Sequence, residues 1–364
     1  MKKSDDTGRV IPSKYQQAAH KAWKTIEKKR RERRAASLRK IDEWVEPKVI
    51  SHIAHPEIGP QPIKRTTYGK GLIHLFAKTP SNIVCGNFWE LRWAFGCPLN
   101  CSYCYLRGTV RGDMKPRIVN PEVVLKALDE AFDDREFNGG KPAIFNAGEL
   151  ADSLMNPRAM SIIVEKFASQ SKHRLFLLSK FGPQNIQFLL DRPEEGKKQI
   201  VCSWSVNPDE VVKRWEREAP SPAQRIEAAK TVYEAGYETR IRIDPMFPID
   251  GWKVCYDRLC AEILDNLRPS RIILGTPRGL WKTIEYAEKA DVDMSWASYF
   301  AQGDTGWGKK LHLATRLAMY THVSGTLVSL GYDISRISLC KETVSLWEAF
   351  GRPFSSFICQ CYSR

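Results

Sequence analysis

The chain has 364 residues, which gives a prior of about two domains and enough length to bury a full core without disulfides or a metal as a staple. Apolar residues make up 43% and charged residues 27%, the balance of a globular protein and far from that of a disordered one. Fifty-six Lys and Arg against 42 Asp and Glu leave a net charge of +14, which favours polyanionic partners. No apolar run approaches the roughly 18 residues of a membrane span. Residues 1–6 lead into no apolar stretch, so no signal peptide is expected, and a cytoplasmic location is.

Residues 1–82 read as a basic helical extension followed by a connector. Residues 14–41 lack Gly and Pro and are rich in Ala, Lys, Arg and Glu, the composition of a helix. Within them, 21–40 hold ten basic side chains against Glu27 and Glu32. Such a block predicts contact with nucleic acid; the alternative is a solvated helix that keeps the protein soluble. Pro47, Pro56, Pro60 and Pro62 then mark 46–70 as irregular.

From about residue 83 the rhythm changes to short apolar runs alternating with amphipathic segments. Strands are predicted at 87–95, 142–146, 174–179, 199–206, 239–244 and 271–275. Helices are predicted from Asn120-Pro121-Glu122, where an N-cap precedes a Pro at the first helical position, and near 157–170, 183–192, 208–217, 222–236 and 252–267. Six strand–helix units predict an α/β fold, a partial (β/α)6 TIM-type barrel over 83–290 with its site at the C-terminal ends of the strands. Residues 291–364 read as a small C-terminal module: a helix over about 308–331, a short strand at 336–339, a helix around 342–350, and a tail with Cys359 and Cys361.

Ten cysteines in a chain expected to be cytoplasmic point to metal or redox chemistry rather than disulfides. Cys97, Cys101 and Cys104 follow the first predicted strand at C-x3-C-x2-C spacing. Three thiolates so spaced can wrap one face of a cubane iron–sulfur cluster and leave its fourth iron open. A zinc site more often shows paired C-x2-C knuckles and a nearby fourth ligand, and the nearest histidines, His74 and His173, are remote in sequence. Cys340, Cys359 and Cys361 could hold a second centre, an iron–sulfur cluster or zinc. A fourth ligand could come from Cys85, Cys202, Cys255, Cys260 or a substrate. Cys255 and Cys260 diverge by about 140° on a helix, which makes them core residues rather than joint ligands of one metal.

The stretch Phe95-Gly96-Cys97 to Cys104-Tyr105, with an aromatic residue just before the last cysteine, resembles the radical S-adenosylmethionine (radical SAM) signature. Phe145-Asn146-Ala147-Gly148-Glu149-Leu150 resembles that superfamily's Gly-Gly-Glu motif. Between 90 and 280 the order of motifs resembles the spore photoproduct lyase family: Cys101-Ser-Tyr-Cys104-Tyr-Leu, Leu175-Phe-Leu-Leu-Ser-Lys180, Trp204-Ser205-Val-Asn207, Ala228-Ala229-Lys230 to Ala235-Gly236-Tyr237, and Pro245 through Gly251-Trp252. The resemblance implies a [4Fe–4S] cluster on Cys97, Cys101 and Cys104 with S-adenosylmethionine on its open iron. It implies that Gly148 and Glu149 receive the methionyl ammonium, and that Lys180 and Ser205 bind the carboxylate. Asn207 belongs to the same cofactor-binding stretch, and Tyr103 and Tyr105 match the lyase's tyrosines as catalytic candidates. A reductant such as flavodoxin or ferredoxin would be a partner. The chain departs from the lyase in two ways. Glu149 aligns with the cysteine that donates a hydrogen atom there, and no Cys occurs between 104 and 202; the C-terminal cysteines are the second difference.

The first expectation is therefore an enzyme that reductively cleaves S-adenosylmethionine to a 5′-deoxyadenosyl radical and takes a hydrogen atom from a nucleic-acid or nucleotide-like substrate. The alternative keeps the radical chemistry, with an auxiliary cluster, and moves it to a peptide or small molecule, for example sulfur insertion or rearrangement. A third class, a nucleic-acid-binding protein with a structural cluster, fits poorly, because structural sites tend to be closed and three cysteines leave one open.

Overall fold

The structure is a computed structural model that describes residues 63–300 and 307–352, together with Cys359 and Cys361. The basic stretch 21–40 and the connector prolines lie outside the described residues. Nine strands form the main sheet: β1 (Thr67–Tyr68), β2 (Ile73–Phe76), β3 (Phe88–Leu91), β4 (Ile144–Asn146), β5 (Arg174–Ser179), β6 (Ile200–Ser205), β7 (Glu238–Ile243), β8 (Arg271–Leu274) and β9 (Ile337–Leu339), hydrogen-bonded in that order. From β3 to β9 every neighbouring pair is parallel, and β1 and β2 extend the β3 edge antiparallel. Because spatial order follows chain order, each crossover steps the same way. Right-handed connections then place the helices on one face and curl the other into a barrel interior. β1 does not pair with β9, so the barrel is partial.

The helices begin where the sequence says they should. Asn120, Asn156 and Ser221 each accept a backbone N–H through the side chain, and a Pro follows each of them at the first helical position. They open α1 (Pro121–Asp133), α2 (Pro157–Ala168) and α3 (Pro222–Glu234). α2 buries Ala159, Met160, Ile163, Val164 and Phe167, a stripe at helical spacing, against the sheet. Each fully buried large side chain contributes roughly 1.5–3 kcal/mol. The opposite face of the sheet holds a small separate cluster of Ile144, Phe176 and Val201, the packed floor of the barrel.

Four expectations need correction. The predicted strand 87–95 breaks after Leu91, and Ala94–Phe95 pairs instead with Arg117–Ile118 in a two-stranded sheet of its own. The stretch 183–192 is not one helix but a 3-10 turn, Pro183–Asn185, and one α-turn, Gln187–Leu190. Part of the expected connector forms β1 and β2. The strand of the C-terminal module joins the main sheet as β9, parallel to β8, so the sheet runs across the boundary expected at 290. That strand has only three residues, and the helix before it, Leu313–Ser329, supplies the crossover. Among the described residues no helix is long and apolar enough to cross a membrane.

His173 shows how aromatic packing constrains charge. It is buried, stacks on Phe132 and meets Phe137 and Phe145 edge-on, and its Nδ1 accepts the Ala143 N–H. Burial lowers its pKa from 6.5 to about 4. The unfolded chain therefore binds the proton first, and stability falls as pH drops from 6.5 toward 4, with no contribution from this group above 6.5. His173→Asn, which keeps an acceptor for Ala143, is expected to flatten that part of a denaturant-midpoint-versus-pH curve. An unchanged acid limb would show that other groups set it.

Candidate functional site

The three clustered cysteines sit on the loop between Ala94–Phe95 and the short helix Leu106–Thr109. Gly96 has φ +79, and a Cβ there would lie 2.5 Å from the Lys115 carbonyl oxygen, so the entry to the loop requires glycine. Buried Arg107 organises the remainder of the loop: it donates to the carbonyls of Cys101 (3.2 Å) and Asn100 (2.9 Å) and to Asn100 Oδ1 (2.8 Å). Ser102 N–H donates to the Trp215 carbonyl, which ties the loop across the mouth to the segment after β6. Burial pushes up the thiol pKa values, that of Cys101 to about 12, so these sulfurs are neutral unless a cation replaces the proton.

All three thiols line an open cavity of ≈ 2030 Å³, counting its solvent-filled mouth. Gly148, Glu149, Lys180 and Ser205 line it as well. The register explains the pairing of the last two. Ser179 stands opposite Trp204, so the next position, Lys180, falls beside Ser205, and Ser205 stands opposite Arg242 on β7. Lys180 Nζ donates to Ser205 Oγ at 2.7 Å and, among the described residues, makes no ion pair. An ammonium has three donors, so Lys180 retains capacity for a carboxylate.

Glu149 faces the same cavity, with Oε1 taken by Lys341 Nζ at 3.1 Å and Oε2 reached, among the described residues, by Asn146 Nδ2 at 3.5 Å. Burial opposes its ionisation, but Lys341, Arg242 and Arg278 outweigh it and keep the carboxyl below the usual range. Gly148 is fixed by protein packing: its N–H bonds Asn146 Oδ1 at 2.9 Å, and a Cβ would meet Leu178 Cβ at 2.6 Å. Its small size serves the neighbouring strand before any ligand.

Two candidates are committed to the wall. The Tyr103 hydroxyl donates to Glu216, and that of Tyr105 to the Glu149 carbonyl, though both rings line the cavity. Asn207 is fully buried outside the lining, where its Nδ2 donates to Glu216 Oε1 at 2.9 Å. Glu216 pairs with Arg225 at 2.6 Å, and neither side chain is exposed. Burial works against ionisation of Glu216, but Arg225 and Lys180 prevail and hold its pKa at about 2.

Sequence reasoning missed several wall residues. His74 is remote from the cysteines in sequence, yet pairing of β2 with β3 and of β3 with β4 aligns His74, Glu90 and Asn146 in one row. Asp152 accepts from the N–H groups of Leu154 (2.9 Å) and Lys180 (2.8 Å) and from Ser179 Oγ (2.7 Å), fixing the end of β5. Asp244 receives Arg242 (2.5 Å) and Arg278 (3.2 Å). A signal existed for Arg242: two arginines in a central parallel strand, where such strands usually read as unbroken apolar runs.

A second, smaller pocket adjoins the first, lined by Cys85, Cys340, Cys359 and Cys361 among others. The structure thus brings the three C-terminal cysteines together and adds Cys85 to them. Cys202, Cys255 and Cys260 lie apart, buried in the apolar cores. Among the described residues no three His, Cys, Asp or Glu side chains already converge as holders of a single ion.

A partial α/β barrel with a three-cysteine loop and a cation-bearing mouth at its strand ends has the form of a radical SAM protein. The family model for spore photoproduct lyase matches residues 87–273, and the chain belongs to that family. It is similar to the spore photoproduct lyase of Bacillus subtilis (strain 168), 30% identical over 189 residues, covering 50% of this chain and 53% of the relative. It is also similar to that of Clostridium acetobutylicum, 27% identical over 187 residues, covering 49% and 52%. The chain spans about half the length of the curated relatives it matches. Among solved structures, a spore photoproduct lyase variant with bound AdoMet and dinucleoside spore photoproduct superposes with a TM-score of 0.57 at 19% identity, covering 69% of this chain and 75% of that one. That likeness establishes the fold.

The Glu216–Arg225 pair holds Tyr103 and Asn207 in place, and removing one partner strands the other charge in the interior. Glu216→Ala is expected to cost about 3–5 kcal/mol in chemical denaturation. A loss below about 1 kcal/mol would place the pair outside the cooperative core.

Proposed function

We propose that this chain is a radical SAM enzyme acting on a nucleic-acid or nucleotide-like substrate, with a [4Fe–4S] cluster held by Cys97, Cys101 and Cys104. The observation that carries the reading is the convergence of three thiols, the Lys180–Ser205 pair and Glu149 on one cavity at the strand ends. When bound, the cluster supplies an electron to the sulfonium of S-adenosylmethionine and so yields the 5′-deoxyadenosyl radical. The chain's own part is placement. Lys180 offers its ammonium to the methionyl carboxylate, and Ser205 steers it. Glu149 Oε2 receives the methionyl ammonium, while Lys341 holds Oε1. The Tyr103 and Tyr105 rings shape the wall over the cysteine loop. The reductant is a one-electron carrier such as flavodoxin or ferredoxin.

Family membership and the dinucleoside bound in a structural relative support the substrate class. The reaction we propose does not quench its product radical at the position after β4, because Glu149 stands there and a carboxylate O–H is a far poorer hydrogen-atom donor than a thiol. The C-terminal cysteines Cys340, Cys359 and Cys361 are assigned to a second metal centre.

Anaerobically reconstituted protein is expected to release 5′-deoxyadenosine from S-adenosylmethionine under reduction, and Cys97→Ala, Cys101→Ala or Cys104→Ala to abolish it. Activity surviving in the triple variant would falsify the assignment. Glu149→Gln and Lys180→Met should each weaken S-adenosylmethionine binding by about 1.5–3 kcal/mol in calorimetry, the worth of a charge-assisted hydrogen bond.

For the basic stretch 21–40 the expected signature is salt dependence. Each neutralised phosphate adds roughly 0.7–0.9 to the slope of log affinity against log salt. Removing residues 1–40 should lower that slope by several units and leave cofactor cleavage intact. Equal oligonucleotide binding by the full and shortened chains would reduce the stretch to a solvated one.

A further inference from the structure

We infer that Cys85 completes a four-thiolate site with Cys340, Cys359 and Cys361, and that this site holds a second, fully ligated [4Fe–4S] cluster. The inference deepens the assignment of the C-terminal cysteines made above and selects among the fourth ligands that the sequence left open.

The juxtaposition follows from backbone pairing. Ile83–Val84 runs antiparallel to Glu342–Thr343, with Glu342 opposite Val84 and Thr343 opposite Ile83. One step further along that register, Cys85 comes level with Lys341, next to Cys340. Cys340 itself is fixed at the end of β9, its N–H donating to the Leu274 carbonyl at 2.7 Å. Cys359 and Cys361 arrive from the tail: Arg271 Nη1 donates to the Cys359 carbonyl at 2.5 Å, and Asn146 Nδ2 approaches Cys361 Sγ at 3.8 Å. Cys85 lies far from the other three in sequence, yet all four thiols line one small pocket.

The surroundings suit a thiolate-rich anion. Arg242 Nη2 donates to Cys340 Sγ at 2.9 Å, and Lys341 and Arg242 both line the pocket. Hydrogen bonds to cluster sulfurs and nearby cations are the usual means by which proteins stabilise iron–sulfur centres. Four cysteine thiolates are the ligand set of a cubane cluster, and the described residues show no group of His, Cys, Asp or Glu already arranged to hold a single ion. Four cysteines also leave no iron open, in contrast to the three on the loop after Phe95, so this centre binds neither S-adenosylmethionine nor substrate.

The test uses the full-length chain with Cys97, Cys101 and Cys104 changed to Ala, reconstituted anaerobically. That protein is expected to retain about four irons and four sulfides, against about eight of each in the parent. Its reduced electron paramagnetic resonance spectrum should not respond to S-adenosylmethionine. Adding Cys85→Ser should remove the retained iron or convert its spectrum to that of a three-iron centre, whereas Cys202→Ser should not; circular dichroism verifies that both fold. Iron absent from the triple-alanine protein, iron and spectrum unaltered by Cys85→Ser, zinc in place of iron, or a spectrum that shifts with S-adenosylmethionine would each overturn the proposal. Failure of the radical SAM reading shows separately, as a parent protein that yields no 5′-deoxyadenosine.

Discussion

The buried carboxylate of Glu342 is the constraint on which the mouth of this barrel depends. It is fully inaccessible and takes Lys310 at 3.3 Å, Arg316, Thr276 Oγ1 at 2.8 Å and Tyr320 Oη at 3.0 Å. Two cations and two hydroxyls around one carboxylate satisfy its lone pairs, the condition under which a buried charge is tolerated. Its partners come from the loop after β8, from Lys310 and from the Leu313–Ser329 helix. Glu342 therefore fixes the short strand that pairs with Ile83–Val84, and through it the place of Cys340 and Lys341. Lys310 also donates to the Lys341 carbonyl at 3.0 Å, so one cluster holds both the strand and the residue that enters the cavity.

The same matching of charges runs through the mouth itself. Asp244 serves Arg242 and Arg278 together, Glu149 serves Lys341, and Asp152 is spent on hydrogen bonds that shape the end of β5. Burial alone would push these carboxyls up. For Asp244 and Glu149 the adjacent cations win and hold them ionised, whereas for Asp152, bonded mostly to neutral groups, desolvation wins and its pKa rises. Lys180 makes no direct ion pair among the described residues, although its charge helps hold Glu216 ionised. Its ammonium stands at the strand end, on the cavity that the three clustered cysteines line.

Six of the seven parallel strands were legible because each joins an apolar or β-branched run to a helical pattern after it. β9 is three residues long and follows a long helix, so periodicity placed it in a module apart; only its pairing with β8 reveals its membership. β1 and β2 hid next to a Pro-rich stretch for the same reason of length. In the site, the three thiols were legible from their spacing, whereas Glu149, Lys180 and Ser205 came from the family resemblance, and the structure places them all on one cavity. Arg278, Asp244, His74 and Lys341 were not legible, since their roles arise from register between segments far apart in sequence. The choice of Cys85 among four candidates is of this kind: nothing local distinguishes it, and the antiparallel step beyond the Val84–Glu342 pair, level with Lys341, does.

Lys341 connects the two pockets, and its geometry argues for orientation rather than obstruction. It adopts φ 52, a conformation that costs a non-glycine residue about 1 kcal/mol, and the Glu342 cluster on one side and Cys340 on the other hold it there. Its ammonium lies 5.0 Å from the ring centroid of Trp307 and 5.6 Å from those of Phe76 and Phe88, with Glu149 at 3.1 Å. Aromatic faces and a carboxylate together keep the charge in a place that water would otherwise have to solvate. An ionised carboxylate has about four acceptor positions, and Lys341 uses those on Oε1. Among the described residues this leaves Oε2 with one long contact, to Asn146 Nδ2 at 3.5 Å. The wall between the two thiol sets thus consists of Glu149, Arg242 and Lys341, which line both pockets. Any change that loosens Cys340 also loosens Lys341, and with it the orientation of the carboxylate on the other side.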